Sequence, residues 1–304
     1  MSTITRIKGM IDNTSLPIIT ETGLVQYWFG YYINALADKG YTLTQTQHDA
    51  VDAFINTLTQ DDIIDAVKLF YPFIGTKANT AAAKVPLIGY KEFNFGSSFD
   101  GFQYNVSDEI VGITKTPAIT SLKTSDFCNS ECFVMGVSYH KKDTSASPSS
   151  TAIDRVINTN NGIQFRAVVA SPNGSRGIAL YTNMKNTEGT IGKNSFQTNI
   201  VPENFNDAGN CYEILGLNSH DNAPYYCRAI KNNNGALAYA AGSTPNRYSP
   251  PSQEDADLSL SASLYTNINV VTGIVVFNRV LQSSEISSFI NAHKTLNIAL
   301  GKEI

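Results

Sequence analysis

The sequence carries few charged residues. Asp, Glu, Lys and Arg make up 16% of its 304 residues and the formal net charge is −4, whereas charged residues average about 25% in globular proteins. The longest basic run is Lys141-Lys142. Nucleic-acid binding needs clustered positive charge to neutralise phosphates. We therefore expect no nucleic-acid partner.

Long apolar runs are also missing. No stretch approaches the roughly 20 residues that a membrane-spanning helix needs. The N-terminus, MSTITRIKGMIDN, has two basic residues but lacks the apolar core of a signal peptide. We expect a chain that spans no membrane and is synthesised in the cytoplasm.

Cysteine and histidine are scarce, with four of each. No CxxC or CxxH element of a zinc site is present, and no loop carries the clustered carboxylates of a calcium site. We expect no metal and no cofactor. The cysteines are expected to be free thiols, but a Cys211–Cys227 bridge between neighbouring strands stays open for an oxidising environment.

Residues 22–75 have a helical pattern. Apolar residues recur at three- and four-residue steps up to Gly40, a typical glycine at a helix C-terminus. Thr44 and Gln47 then form a capping-box pattern ahead of a second helix. A third helix is predicted from Asp61-Asp62 through Phe70, ending at Pro72. Residues 76–90 lack periodicity and are predicted to be a linker.

From residue 91 onwards, short β-branched and aromatic segments alternate with Gly, Asn, Ser and Thr. Three dipeptides have the composition of tight hairpin turns: Asn161-Gly162, Asn173-Gly174 and Asn234-Gly235. Ten or more strands without intervening helices predict an antiparallel sandwich. A last helix is predicted from Ser283 or Ser284, with about three turns. The prediction is thus a mainly β chain with a helical docking segment (1–75), a linker (76–90) and a β-sandwich with a C-terminal helix (91–304).

The segment INVVTGIVVFNRVLQSSEISSFINAHK resembles the closing signature of laminin-G-like, concanavalin A-like jelly rolls. The matching residues are Gly273, Phe277, Asn278, Arg279, Leu281, Ser283, Glu285 and Ile286. FNFGSSFDGFQY and CFVMGVSYHK are similar to the opening and early core strands of that family. The resemblance covers roughly residues 90–300 and implies a jelly roll that binds glycans or proteins.

The N-terminal part resembles a helical module of bacteriophage structural proteins. The matching stretches are Ala37–Gly40, Thr44–Leu58 and the sequence YPFIG at residues 71–75. This resemblance implies a head fibre, tail fibre or other virion appendage, assembled in the host cytoplasm and exposed on the particle. Its expected partners are other virion proteins and further copies of itself, because appendages on symmetric particles use repeated copies.

The sequence offers no catalytic residues. A glycoside hydrolase needs two carboxylates facing each other across a cleft, but Glu109, Glu131 and Glu213 stand alone on separate segments. No G-x-S-x-G nucleophile motif is present. Among the histidines, His220 in a loop is the candidate for a ligand contact, whereas His293 is expected near the helix C-terminus, where the dipole favours positive charge. We expect a protein that is not an enzyme.

Aromatic residues supply the candidate binding sites. Four of them lie beside turn signals where they could stack on a sugar ring, and with His220 they form the predicted ligand site: Tyr181, Tyr225, Tyr226 and Tyr248. The aromatic run of the first helix exceeds what a small helical hairpin needs, and it is the predicted docking surface: Trp28, Phe29, Tyr31 and Tyr32.

The preferred hypothesis is a virion protein that docks by its N-terminal helices and displays a jelly roll for binding host-surface glycan. Two alternatives stay open at this point. One is a glycan hydrolase or lyase on a concanavalin-type sandwich. The other is a purely architectural virion protein without a ligand.

Overall fold

The computed structural model describes residues 21–92, 101–114, 118–123, 132–141, 152–159, 164–169, 177–185, 191–198, 209–218, 224–230, 237–241, 257–259 and 268–302. Three helices lie at the two ends of this part of the chain: α1 (Glu21–Asp38), α2 (Gln45–Gln60) and α3 (Ser283–Ala299). No described helix is both long and apolar enough to cross a membrane.

Fourteen strands are described: β1 (Val67–Tyr71), β2 (Phe102–Tyr104), β3 (Ile110–Ile113), β4 (Ala118–Lys123), β5 (Cys132–Lys141), β6 (Ala152–Thr159), β7 (Gln164–Val169), β8 (Gly177–Lys185), β9 (Ile191–Thr198), β10 (Gly209–Asn218), β11 (Pro224–Ile230), β12 (Leu237–Ala241), β13 (Asp257–Ser259) and β14 (Ile268–Phe277). They form an eight-stranded sheet in the order β12-β11-β10-β5-β14-β3-β2, with β1 also on β14, and a six-stranded sheet in the order β4-β13-β6-β7-β8-β9.

Every strand pair in these two sheets is antiparallel. Antiparallel neighbours can be joined by short connections, whereas parallel neighbours need a long crossover, so the short segments bounded by turn residues in the sequence favour this arrangement. The predicted class is confirmed: an antiparallel β-sandwich with helices before and after its strands.

The first two helices were predicted correctly. Gly40 ends α1 with a left-handed backbone, φ +69°, a conformation that costs glycine little. The Thr44 hydroxyl accepts the Gln47 amide at 3.3 Å, and the Gln47 side chain accepts the Thr44 amide at 3.1 Å. The capping box therefore starts α2 as expected.

The predicted third helix is wrong. Residues Ile64–Ala66 make a single 3-10 turn, and Val67–Tyr71 form β1. This strand pairs with the second half of β14, from Ile274 to Phe277. Pairing with an existing strand satisfies the backbone of β1 and buries its apolar residues together, and this tertiary gain overrides the local helical pattern.

The range predicted as a linker, residues 76–90, is packed rather than free. Val85, Leu87 and Ile88 are at most 1% exposed and belong to the same apolar core as the helices. Phe70 and Ile88 form a backbone bridge, with the Phe70 amide donating to the Ile88 carbonyl at 2.9 Å. The sequence of this range shows no periodicity because its backbone is largely irregular. It is buried all the same, since burial does not require a helix or a strand.

The main core lies where α2, α3 and the eight-stranded sheet meet. Phe54 of α2 stacks on Phe70 of β1 with ring centroids 4.9 Å apart, and Phe289 of α3 meets Phe277 of β14 at 5.0 Å. All four rings are at most 2% exposed. The N-terminal helical segment, the eight-stranded sheet and the last helix therefore share one core.

The last helix is longer than predicted and begins differently. It has 17 residues, and its N-cap is Gln282 rather than Ser283 or Ser284. The Glu285 carboxylate accepts the Gln282 amide at 2.6 Å, which holds the first turn as in a capping box. The predicted apolar face is confirmed, since all four of its residues are buried: Ile286, Phe289, Ile290 and Leu296.

The closing segment also holds the N-terminal part of the chain. The Asn278 amide donates to the Ala66 carbonyl at 2.8 Å, and its side chain donates to the Asp65 carbonyl at 2.7 Å. Arg279 pairs with both oxygens of Glu285 at 2.8 and 3.0 Å and reaches the Asp62 carbonyl at 3.3 Å. The pairing with Glu285 raises the pKa of Arg279. These residues therefore join β14, α3 and the 3-10 turn.

The register excludes a bridge between Cys211 and Cys227. The two cysteines lie on paired strands, but Cys211 is opposite Ile230 and Cys227 is opposite Ile214. Three residue steps separate them along the ladder, roughly 10 Å, and an odd number of steps places them on opposite faces of the sheet. A disulfide requires Cα atoms within about 7 Å.

Candidate functional site

An aromatic cluster lies at the surface of α1. It consists of Tyr27, Trp28 and Tyr31 from the helix and Tyr90 from the segment that follows a second 3-10 turn, Ala82–Lys84. Ring centroids are 5.0 Å apart for Tyr31 and Tyr90 and 5.2 Å apart for Trp28 and Tyr90. Tyr27 stacks on Tyr31 at 6.4 Å with an interplanar angle of 17°. We call these four residues the aromatic face.

Helical spacing and one glycine assemble the aromatic face. Tyr27 and Tyr31 are one turn apart, so their rings meet on the same side of α1. Tyr90 arrives from a distant part of the chain because Gly89 adopts φ +100°. A Cβ atom at Gly89 would come within 2.4 Å of the Leu69 side chain. Only glycine lets the chain cross β1 so closely and present Tyr90 to the helix.

The cluster has a buried base and an exposed rim. Trp28 is 3% exposed, whereas Tyr27 and Tyr90 are 37% and 43% exposed. The hydroxyls of Tyr27 and Tyr90 are hydrogen-bonded to each other at 2.5 Å. Burial and this hydrogen bond raise the pKa of Tyr90. Tyr90 therefore stays neutral, and the exposed rim offers phenol hydroxyls and ring edges to the solvent.

An ion pair is the charged feature beside the aromatic face. Lys39 Nζ lies 2.8 Å from Glu92 Oε1, and the two side chains are 30% and 40% exposed. The pKa of Tyr31 is raised first by burial, then by Tyr27, and then by the negative charge of Glu92, so the pair lies close enough to influence the cluster. The surface combines aromatic rings with one acid and one base.

The predicted docking residues divide into two groups. Tyr32 is 0% exposed and Trp28 is 3% exposed, so both are part of the core and are not free to contact a partner. Tyr31 is half-buried within the aromatic face, and Phe29 is half-buried against the His48 ring at 4.7 Å. Docking through Phe29 and Tyr31 stays a prediction.

Sequence reasoning missed Tyr27 and Tyr90. The spacing of Tyr27 from Tyr31 could have revealed the first, since residues four apart share a helix face. Tyr90 gave no local signal because it lies in the range that was predicted to be a linker. Its contact with the helix exists only through the tertiary path of residues 86–92.

The predicted ligand site is distributed over both sheets. Tyr181 lies in β8 of the six-stranded sheet, while Tyr225 and Tyr226 lie in β11 of the eight-stranded sheet. They occupy strand positions and not loops. His220 and Tyr248 lie outside the described residues. Ligand binding by these five residues stays a prediction.

The register separates Tyr225 from Tyr226. Tyr225 is opposite Gly216, two residues from Ile214 on β10, so it occupies the face of the sheet that carries Ile214. Tyr226 is opposite Leu215 and occupies the other face. A ligand lying on one face of this sheet can therefore use only one of the two positions.

A buried polar network lies between α3 and the sheet. Ser138 Oγ is 3.1 Å from His293 Nε2, and the Thr272 hydroxyl donates to Ser138 Oγ at 2.7 Å. The Asn297 amide donates to the Tyr212 hydroxyl at 3.1 Å. A serine next to a histidine resembles a nucleophile–base pair, but Ser138 and His293 are 1% and 3% exposed. In this closed arrangement a substrate has no access to the pair.

A shallow groove of about 570 Å³ runs between α2 and α3. Its floor contains Phe54 and Leu296, and small or polar side chains form its walls: Thr46, Asp49, Ala50, Ala53, Thr57, Ser288, Asn291, Ala292, Thr295 and Ala299. Asp49 is the one ionisable side chain among these lining residues. Elsewhere in the described part of the chain, no group of three or more His, Cys, Asp or Glu is placed to hold a metal ion.

The sequence matches no protein-family model and no curated protein. Similar solved structures include the Ruminococcus gnavus IT-sialidase CBM40 bound to α2,6-sialyllactose, with 14% identity over 54% of this chain and 85% of that chain, at a TM-score of 0.36. Peanut lectin with a nine-residue peptide has 13% identity over 64% of this chain and 98% of that chain, at a TM-score of 0.33.

A third similar structure is the CBM2 module of the evolved Dit of Lactobacillus casei BL23 phage J-1. It has 9% identity over 55% of this chain and 70% of that chain, at a TM-score of 0.31. At these TM-scores the likeness is partial, and the fold assignment rests on the strand pairing described above.

Proposed function

We propose that the protein is a non-catalytic component of a virion surface that docks to another virion protein through its aromatic face and displays its sheets for host-glycan binding. The observation that carries the docking role is the exposed rim formed by Tyr27 and Tyr90. The virion assignment draws on the sequence resemblance to phage structural modules at residues 37–75.

The chemistry of the aromatic face suits a protein partner. Tyrosine combines a large apolar ring with a hydroxyl and loses little side-chain entropy on binding, and aromatic residues are enriched among binding hot spots. The rings of the aromatic face already contact one another, so little ordering cost remains for the complex. The Lys39–Glu92 pair at the margin can set the orientation of the partner by charge complementarity.

The docking role is tested by the double variant Tyr27→Ser, Tyr90→Ser. Both residues are partly exposed, so the chain should stay folded while the apolar rim is lost. We expect the variant to be incorporated into particles at least tenfold less than the natural chain, measured by quantitative blotting of purified virions.

Val106→Ser is the matched control, because Val106 is fully exposed between β2 and β3 and is not one of the aromatic-face residues. Equal incorporation of both variants would refute docking through the aromatic face. Sedimentation velocity of the purified chains adds a second readout: loss of self-association in the double variant alone would identify a second copy, and not a different virion protein, as the occupant.

The glycan-binding role is tested separately with the full chain on a glycan array. We expect binding to a restricted set of bacterial surface glycans. Tyr225→Ala and Tyr226→Ala should then differ, because the two positions lie on opposite faces of the sheet. Only one of them should weaken binding. No binding to any glycan, together with normal incorporation into particles, would favour the architectural alternative, and release of reducing ends would revive the hydrolase.

A further inference from the structure

Lys302 is a lysine buried inside the protein. It follows Gly301, which has φ +63°, at the end of α3, and its amide donates back to the Asn297 carbonyl at 2.9 Å. This bond, together with the Gly301 amide donating to Ile298 at 3.0 Å, turns the chain inward as glycine-terminated helices commonly do. The Lys302 side chain is thereby directed into the core, and the residue is 1% exposed.

The ammonium group of Lys302 meets three backbone carbonyl oxygens. Nζ donates to the carbonyls of Pro72, Phe73 at 3.1 Å and Thr272 at 3.4 Å. An ammonium group has three N–H donors and no acceptor, so each donor has one carbonyl. Within the described ranges Lys302 takes part in no ion pair. We call these three carbonyls the carbonyl cage.

The chain path creates the cage. Pro72 and Phe73 follow β1, and Thr272 belongs to β14, which pairs with β1. In extended backbone, successive carbonyls point to opposite sides of the strand. Phe73 breaks this alternation with φ +52°, so the carbonyls of Pro72 and Phe73 both reach Nζ. A left-handed conformation at a bulky residue is uncommon and costs free energy, which the contact with Lys302 helps to offset.

Convergent carbonyl oxygens are the ligands of monovalent cations in proteins. Rings of backbone carbonyls replace the hydration shell of K⁺ in ion-selective sites, and ammonium ions present the same charge with N–H donors. We propose that the carbonyl cage is a buried monovalent-cation site whose resident ligand is the chain's own Lys302 ammonium. The cage therefore accepts a free ammonium-type cation when the lysine side chain is removed.

Burial lowers the pKa of Lys302 to about 7, and His293 of α3 is the described group whose pKa responds to the charge of Lys302. Burial and then the charge of Lys302 lower the pKa of His293, so the imidazole stays neutral beside the ammonium. With Lys302 bound in it, the carbonyl cage links the backbone at Pro72 and Phe73, the strand β14 and the end of α3. Lys302 thus fastens the N-terminal helical segment to the sheet, independently of what the aromatic face binds.

The test is cation rescue of the full-length variant Lys302→Ala. Thermal unfolding is measured at equal ionic strength in chloride salts of sodium, potassium, ammonium, methylammonium and tetramethylammonium. We expect the variant to unfold several degrees below the natural chain in sodium or tetramethylammonium. Ammonium, methylammonium or potassium should restore a substantial part of the loss, whereas the midpoint of the natural chain should not depend on the cation.

Lys294→Ala is the matched control, since this half-buried lysine of α3 makes no contact with the cage, and it should show no cation dependence. Equal midpoints of Lys302→Ala in all five salts would overturn the proposal. If Lys302→Ala does not fold, Lys302→Met decides: a chain with the same apolar stem and no charge that is as stable as the natural one would show that the cage needs no cation.

Discussion

At the scale of single residues, His293 illustrates how burial decides chemistry. Its ring contacts those of Phe70 at 4.9 Å and Tyr212 at 5.2 Å, and Ser138 holds its Nε2 atom. The sequence predicted a cationic histidine near a helix C-terminus. The structure shows a core residue whose pKa is lowered to about 3, first by burial and then by Lys302. The expectation of a favourable dipole contact was wrong because the helix packs this side against the sheet.

The buried histidine should make the protein sensitive to acid. Below the ordinary pKa of 6.5 the unfolded chain takes up a proton that the folded chain refuses until about pH 3. The stability that depends on His293 is therefore fully present above pH 6.5 and falls towards pH 3, by up to about 1.4 kcal/mol per pH unit. Urea unfolding at a series of pH values should show this fall in the natural chain and a smaller one in His293→Gln.

An exposed residue without a titratable group provides the comparison for this experiment. Val106→Ser should reproduce the pH profile of the natural chain. A His293→Gln profile as steep as the natural one would contradict the assignment of the acid sensitivity to His293.

At the scale of elements, the seating of α3 on β14 depends on one glycine. A Cβ atom at Gly273 would lie 2.8 Å from His293 Nε2 and 3.0 Å from Ser138 Oγ. The glycine of the closing signature thus serves the approach of the helix to the sheet. The sequence pattern singled out this glycine and predicted the helix, but the contact between the two exists only in the folded chain.

Gly273→Ala should destabilise the protein. An added methyl group must push α3 away or force the His293 ring from its place, at a cost of about 1–3 kcal/mol. The free energy of unfolding in urea measures the effect. Gly30→Ala is the control, because nothing lies within 4 Å of a Cβ atom there, and alanine is the better helix former by roughly 1 kcal/mol. We expect Gly273→Ala to lower the free energy of unfolding and Gly30→Ala to raise it. Equal changes in the two variants would contradict the role of Gly273.

Local signals identified some elements and failed for others. Thr44 and Gln47 specify the start of α2 by contacts within four residues, so they could be predicted. Val67–Tyr71 has an apolar pattern that fits a helix or a strand, and only β14 decides between them. Predictions succeeded where the stabilising contacts are local and failed where a distant strand supplies them.

At the scale of the whole molecule, the N-terminal helical segment and the sheet are parts of one body. Phe70 is 0% exposed and contacts Phe54 of α2 and Phe289 of α3, at 4.9 and 6.1 Å between ring centroids. The helical segment shares its apolar core with the sheet, and β1 pairs with β14. If the segment unfolded alone, it would expose that core and leave β14 without its partner strand. We therefore expect cooperative unfolding of residues 27–92 with the eight-stranded sheet.

The single tryptophan makes this expectation measurable. Trp28 is 3% exposed in α1, so its fluorescence reports on the helical segment, while far-UV circular dichroism reports on the strands. The two transitions should coincide in denaturant. Phe70→Ala should shift both together by about 3–5 kcal/mol, whereas Val106→Ala should shift neither. An earlier transition of the Trp28 signal would indicate a separately folding helical domain.

The sequence by itself determined the features that depend on neighbouring residues: the mainly β class, α1, α2 and the apolar face of α3. Composition and short-range periodicity are enough for these, because backbone hydrogen bonds and capping contacts lie within a few residues. The three predicted hairpin turns lie outside the described residues. The tertiary structure alone decided the strand at residues 67–71, the burial of residues 76–90, the meeting of Tyr90 with Tyr27 and the carbonyl cage around Lys302. Each of these four features depends on contacts between parts of the chain that are about 60 or more residues apart. Burial of shared apolar surface, and not local propensity, brings those parts together.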